Sequence, residues 1–231
     1  MFNINLTKNI FFSFFLSISF AISVYAQEVE EVVVTATKKE ESLQDVALSV
    51  EAFGSDDIVA QQIFDFSDIA ESVPGLGSSK SVGSGSAFTI RGIGSFGVGA
   101  ANIASVVTAS NGHSVNDSVF VDIGMYDLER IEVLKGPQGT LNGRNATTGI
   151  VNFITARPTG ETGGSVDVVV GNYDQVRTTM VLNAPISDDL SARLAAVVNE
   201  RSGYMENLYT GTDYDDSCLL YTSDAADDAH G

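Results

Sequence analysis

Gly92-Ile93-Gly94-Ser95-Phe96-Gly97 spells G-x-G-x-x-G directly after a short strand-like run, the spacing with which a strand–turn–helix unit cradles a pyrophosphate. That chemistry needs a helix whose first N–H groups face the phosphate. Residues 98–112 instead run through Gly, Ala, Ser and Asn without helical periodicity, so no dinucleotide site is expected. Residues 136–149 (GPQGTLNGRNATTG) have the glycine density of a phosphate loop, but Arg144-Asn145 stands where the Lys-Ser/Thr pair is required. His113 and His230 are the only histidines and Cys218 the only cysteine, which excludes an intramolecular disulfide and a cysteine-built zinc site of about three or four such ligands. H-E-x-x-H, G-x-S-x-G and C-x-x-C are absent. No catalytic residue, metal site or cofactor is assigned, and the chain reads as a non-enzyme. With 30 Asp and Glu against 12 Lys and Arg, a formal charge of −18 also argues against a nucleic-acid partner.

The elements that would position any binding residues follow from patterning. Residues 1–26 place Lys8 before an apolar run (IFFSFFLSISFAI) and end on Val24 and Ala26, the small residues a signal peptidase requires; a secretory leader cleaved after Ala26 is expected. Residues 27–41 (QEVEEVVVTATKKEE) read as an extended, exposed segment with a β-branched centre. Residues 42–74 suggest two short amphipathic helices, the first capped by Ser55 or Asp56 and the second by Ser67. Residues 75–112 read as loop-rich around one strand at 87–91 (AFTIR), and further strands are expected at 118–123, 130–135 and 148–156. Residues 42–158 thus form one α+β domain. After Pro158 the chain alternates strictly: Val166, Val168 and Val170, then Val176, Thr178, Met180 and Leu182, then Leu190, Ala192, Leu194, Ala196 and Val198 each share a face. Strands of roughly ten residues joined by tight turns suit a transmembrane barrel wall, and equally a soluble sheet with one wet face.

Residues 129–158 (ERIEVLKGPQGTLNGRNATTGIVNFITARP) closely resemble the plug domain of TonB-dependent outer-membrane receptors, as do VPGL at 73–76 and FTIRGIG at 88–94. Asn142, Thr148 and Asn111-Gly112 depart from the family's usual Tyr, Gly and Asp-Gly. EEVVVTAT at 30–37 looks like the family's TonB box. The resemblance implies an α+β plug followed by the start of an antiparallel transmembrane β-barrel, about 22 strands when complete, of which about three are expected here. It divides the chain into leader (1–26), box and linker (27–41), plug (42–158) and first barrel strands (159–217). Residues 218–231 (CLLYTSDAADDAHG) break the alternation and resemble translated sequencing-adapter text, so an artefactual tail is expected, with a genuine acidic extracellular loop as the alternative.

The function so implied is TonB-dependent uptake across the outer membrane of a ferric siderophore or a similar large, scarce solute. Haem, cobalamin and oligosaccharide receptors are alternatives, as is a secreted periplasmic plug-like module without transport. Partners would be TonB, gripping Glu31, Val32, Val33, Val34, Thr35 and Ala36; an extracellular ligand; and outer-membrane lipid. Arg91 and Arg130 match family positions that lock plug to barrel, though each suits a solvated arginine too. Ligand contacts are expected from Ser95, Phe96, Asn111 and His113 in Gly/Ser/Asn-rich loops at 78–86, 95–101 and 109–117.

Overall fold

In a computed structural model, the described residues are 33–35, 41–42, 48–81, 85–94, 104–115, 125–142, 145–187 and 189–228. The expected leader, box residues Glu31, Val32 and Ala36, ligand candidates Ser95 and Phe96, and the strand expected at 118–123 lie outside them.

β-branched and aromatic runs build a mixed five-stranded sheet. Its strands are β3 (Ser49–Gly54), β6 (Val106–Ser110), β7 (His113–Ser114), β8 (Leu128–Lys135) and β9 (Gly149–Thr155), in the order β3-β8-β9-β6-β7. β8 runs antiparallel to β3 and β9, whereas β6 and β9 are parallel. Ile131, Val133, Val151 and Phe153 point to one face, where they pack with Phe66, Ile69, Phe88 and Ile90. Leu134 and Ile150 point to the other, against Val107, Ala109 and Ala146. Gly149 is required where β9 passes β8: a Cβ there would lie 2.3 Å from the Leu134 carbonyl oxygen and 2.4 Å from Ile90 Cδ1.

Two helices precede the sheet's centre, α1 (Ser55–Ala60) and α2 (Phe66–Ser72). Their caps differ from the expected Ser55/Asp56 and Ser67. Gly54 is the first cap, its N–H donating to Asp57 Oδ2 at 3.3 Å. Asp65 is the second: its Oδ1 accepts from the N–H groups of Ser67 (2.7 Å) and Asp68 (3.1 Å), and Asp68 Oδ2 accepts from Asp65 N–H at 2.9 Å. This is a capping box closed by aspartate instead of glutamate. The region expected to be mostly loop contains two further strands. β4 (Leu76–Ser81) pairs with β5 (Gly85–Ile90) as a hairpin, and β6 runs through the sheet; Gly and Ser in these strands masked the alternation.

Asn111 and Gly112, with φ of 49° and 74°, form the two-residue turn between β6 and β7, the left-handed pair that Asn-Gly favours. Arg91 and Gly92 (φ 53° and 76°) make the same turn between Ile90 and Ile93, so the first glycine of the motif serves a tight turn.

Beyond Pro158, β10 (Gly163–Val170), β11 (Val176–Ser187) and β12 (Leu190–Arg201) form an antiparallel sheet joined by tight turns. Its outer face carries exposed Val166, Val168, Val170, Met180, Leu182 and Leu194, while Ala195 and Val197 are buried on the inner face. A small hairpin, β13 (Met205–Asn207) with β14 (Thr212–Tyr214), leads to β15 (Ser217–Asp228), which pairs with β12. Residues 218–228 of the adapter-like segment therefore lie in this sheet. Four strands make an open wall that does not close into a barrel. Among the described residues no helix is long and apolar enough to cross a membrane.

Candidate functional site

Residues 33–35, inside the segment expected to be the box, are docked on the sheet. β1 (Val33–Val34) pairs antiparallel with β2 (Glu41–Ser42), and Val34 is fully buried, against the expectation of an exposed segment. What holds it is Glu132, in the middle of β8 and itself fully buried. Glu132 Oε1 accepts from Thr35 N–H at 2.8 Å and from Thr35 Oγ1 at 3.2 Å. The same oxygen accepts from Arg130 Nε at 2.9 Å, and Oε2 accepts from Asn152 Nδ2 at 3.3 Å. A carboxylate out of water is tolerated only with such partners. Arg130 Nη2 also donates to Thr35 Oγ1 at 3.3 Å, and Arg130 pairs with Glu129. Asn152 stands directly opposite Glu132 on β9, and its Oδ1 accepts from Gly112 N–H at 3.0 Å. A continuous polar row thus runs from Thr35 across the sheet to the β6–β7 turn.

A second set of contacts joins the plug to the wall. Arg193, on the inner face of β12, makes a forked contact with Asp127, Nε lying 3.1 and 2.9 Å from the two carboxylate oxygens and Nη2 2.5 Å from Oδ1. Arg177 of β11 lies 4.5 Å from the centre of the Phe64 ring. Tyr126 stacks on Tyr221, its hydroxyl donating to the Thr222 carbonyl at 3.2 Å. Arginines on the wall thus meet an acid and a ring on the plug.

Of the site residues expected from sequence, Thr35 and Arg130 come together at Glu132. Arg91 is exposed in its turn, its N–H donating to the Gly75 carbonyl at 2.7 Å. Asn111 Oδ1 accepts from Thr155 N–H at 3.0 Å, and its Nδ2 donates to Thr155 Oγ1 at 3.0 Å, so its side chain fastens two strands. His113 is exposed, with Nδ1 3.0 Å from the Asn111 carbonyl. The sequence reading did not single out Glu132, Asn152, Asp127 or Arg193. Glu132 and Asn152 carried a signal: each is a polar residue amid an apolar run, IEVL and IVNFI, where burial demands a partner. Among the described residues no group of His, Cys, Asp and Glu could hold a metal ion.

An α+β domain whose amino-terminal strand is docked on its sheet, continuous with an open antiparallel wall bearing an apolar outer face, defines a plug-and-wall protein. Residues 42–150 match the TonB-dependent receptor plug domain, and the chain belongs to the TonB-dependent receptors. It is similar to the vitamin B12 transporter BtuB of Vibrio vulnificus, 31% identical over 201 residues that make up 83% of this chain and 32% of that protein. The pesticin receptor of Yersinia pestis is 38% identical over 90 residues, 38% of this chain and 13% of the receptor. Among solved structures, the ferric yersiniabactin uptake receptor FyuA of Yersinia pestis shares the fold with a TM-score of 0.65 at 24% identity, covering 78% of this chain and 28% of that one. The chain spans about a third or less of the length of the curated relatives it matches.

Proposed function

We propose that this chain supplies the TonB box, plug and first wall strands of an outer-membrane transporter that takes up a ferric siderophore or a solute of similar size. The observation that carries the reading is the contrast between two junctions. The box is held to the plug by a handful of hydrogen bonds at Thr35, while the plug is fastened to the wall by a forked ion pair. A force applied at the box meets the weaker junction first. TonB would take residues 31–36 as an added strand, main chain giving affinity and alternate side chains giving register. The apolar outer face of β10–β12 would meet outer-membrane lipid.

β11 and β12 turn tightly at residues 187–190, and short turns mark the periplasmic end of such walls. Thr159 N–H donates to Asn183 Oδ1 at 3.4 Å near that end, four residues after the Thr155 that Asn111 holds. In this reading Asn111 and His113 sit towards the periplasm, Asn111 tying the β6–β7 turn to β9, and ligand contact falls to loops at 78–86 and 95–101, including Ser95 and Phe96. Arg91 and Arg130 keep a locking role toward carboxylates of wall strands beyond this chain. Cobalamin is the second reading of the substrate, favoured by the similarity to the vitamin B12 transporter over 83% of the chain. The test is calorimetry of TonB against the receptor and its Val33→Pro variant, since proline removes a ladder donor. Binding by wild type and none by the variant is expected; equal binding overturns the assignment of the box.

A further inference from the structure

Glu132 sits where the box, the sheet and the β6–β7 hairpin meet, and nothing in an ordinary strand requires an acid there. Its neighbours along β8, Ile131, Val133 and Leu134, are all fully buried apolar residues. A hydrophobic side chain would fill the site without the cost of desolvating a charge. All three donors on Oε1 come from Thr35 or Arg130, and Asn152 alone serves Oε2. Asn152 is in turn fixed by Gly112 N–H, and Ala109, its neighbour on β6, is small enough to leave the asparagine room.

We propose that Glu132 is a positioning residue that latches the TonB box onto the plug through Thr35, with Asn152 anchoring the latch to the β6–β7 hairpin. The proposal rests on the reading of residues 31–36 as the box. Removal of Thr35 takes two of Glu132's four hydrogen bonds and leaves the carboxylate with Arg130 and Asn152 in a site closed to water. Box release therefore works against a fixed opposing contact, and the affinity TonB shows is what remains after the latch is broken. Because Arg130 serves both Glu129 and Glu132, the strength of the latch depends on how that arginine's other partners hold it.

The experiment uses the purified receptor that carries this chain, with Cys218→Ser and one reporter substitution, Val34→Cys, at a fully buried position of β1, labelled by a maleimide. Glu132→Gln keeps the shape and removes the charge; Thr35→Val removes the hydroxyl. Each is expected to speed labelling about tenfold, because hydrogen bonds to a buried charge are the strong ones. The double variant should label no faster than the quicker single, since both act on one contact, and Thr35→Ser should restore the wild-type rate. Rates within about twofold of wild type, or effects that multiply in the double variant, overturn the latch. Ala146→Cys, at a fully buried position, reports the fold; if it labels in Glu132→Gln, the Thr35→Val and Thr35→Ser pair decides alone. Failure of the wild-type receptor to bind TonB would sink the reading of the box, while the labelling result would still judge whether Glu132 holds residue 35.

Discussion

Arg193→Met removes the forked contact between the wall and the plug. Its partner Asp127 is then left as a carboxylate whose side chain is only 9% exposed, beside an arginine position 14% exposed. Breaking a buried pair from one side costs about 3–5 kcal/mol, and the residual exposure of both groups brings the expectation to about 2–4 kcal/mol. That corresponds to a roughly 30- to 700-fold shift toward the detached plug. Asp127 has a φ of 54°, so the matching variant must tolerate left-handed backbone; Asp127→Asn does, and deletes only the charge. Pulse proteolysis of the plug across a urea series, in the receptor, reads both variants and their combination. Each single variant should lower the plug's stability by the stated amount. The double, which leaves no unpaired charge, should be more stable than either single. Single effects below about 0.5 kcal/mol, or strict additivity, would show that the ion pair does not hold the plug.

Other consequences are open to similar measurement. Gly149→Ala forces a Cβ into the Leu134 carbonyl and Ile90, and overpacking of this kind should cost about 1–3 kcal/mol in the same urea assay. Arg91→Gly relieves a left-handed backbone while deleting the guanidinium; if Arg91 locks the plug to further wall strands, single-molecule pulling on the box will release the plug at lower force despite the relaxed turn, and unchanged force refutes the lock. Burial raises the Asp68 carboxyl above its ordinary 3.8, opposed by the Phe64 and Asp65 N–H groups. Its ionised form is thus disfavoured in the fold, so its contribution to stability is most favourable below pH 3.8 and falls as pH rises through the raised value. Asp68→Asn keeps both accepted hydrogen bonds and should remove this component, which acid titrations of plug stability in the two proteins will show.

The sequence made the apolar skeleton legible. RIEVLK and GIVNFIT gave β8 and β9 because β-branched runs between turn residues have few other uses, and the alternation after Pro158 gave three wall strands with their outward faces. β4 and β6 were lost because LGSSKS and VVTAS lie in a Gly- and Ser-rich context that reads as loop. The two helices were visible but their caps were not, since Asp65 lies two residues before Ser67, the cap the sequence suggests. The site was half legible. Thr35 and Arg130 were found through family resemblance, whereas Glu132 and Asn152 become partners only when β8 and β9 pair in register. Arg193 and Asp127 lie 66 residues apart, and no local pattern joins them. Asn111 reads in the sequence as part of a loop whose Gly, Ser and Asn offer hydrogen bonds; its hold on Thr155, 44 residues on, leaves no local trace.

Transport is the central claim, and uptake in living cells tests it most directly. A receptor-deficient strain carrying the complete receptor, with and without TonB, would be given radiolabelled iron as ferric siderophores and, separately, labelled cobalamin. Accumulation of one solute that depends on TonB, and falls to background with Val33→Pro, is the predicted result. Accumulation at the same rate without TonB, or of no solute by a receptor that folds and reaches the outer membrane, would contradict it.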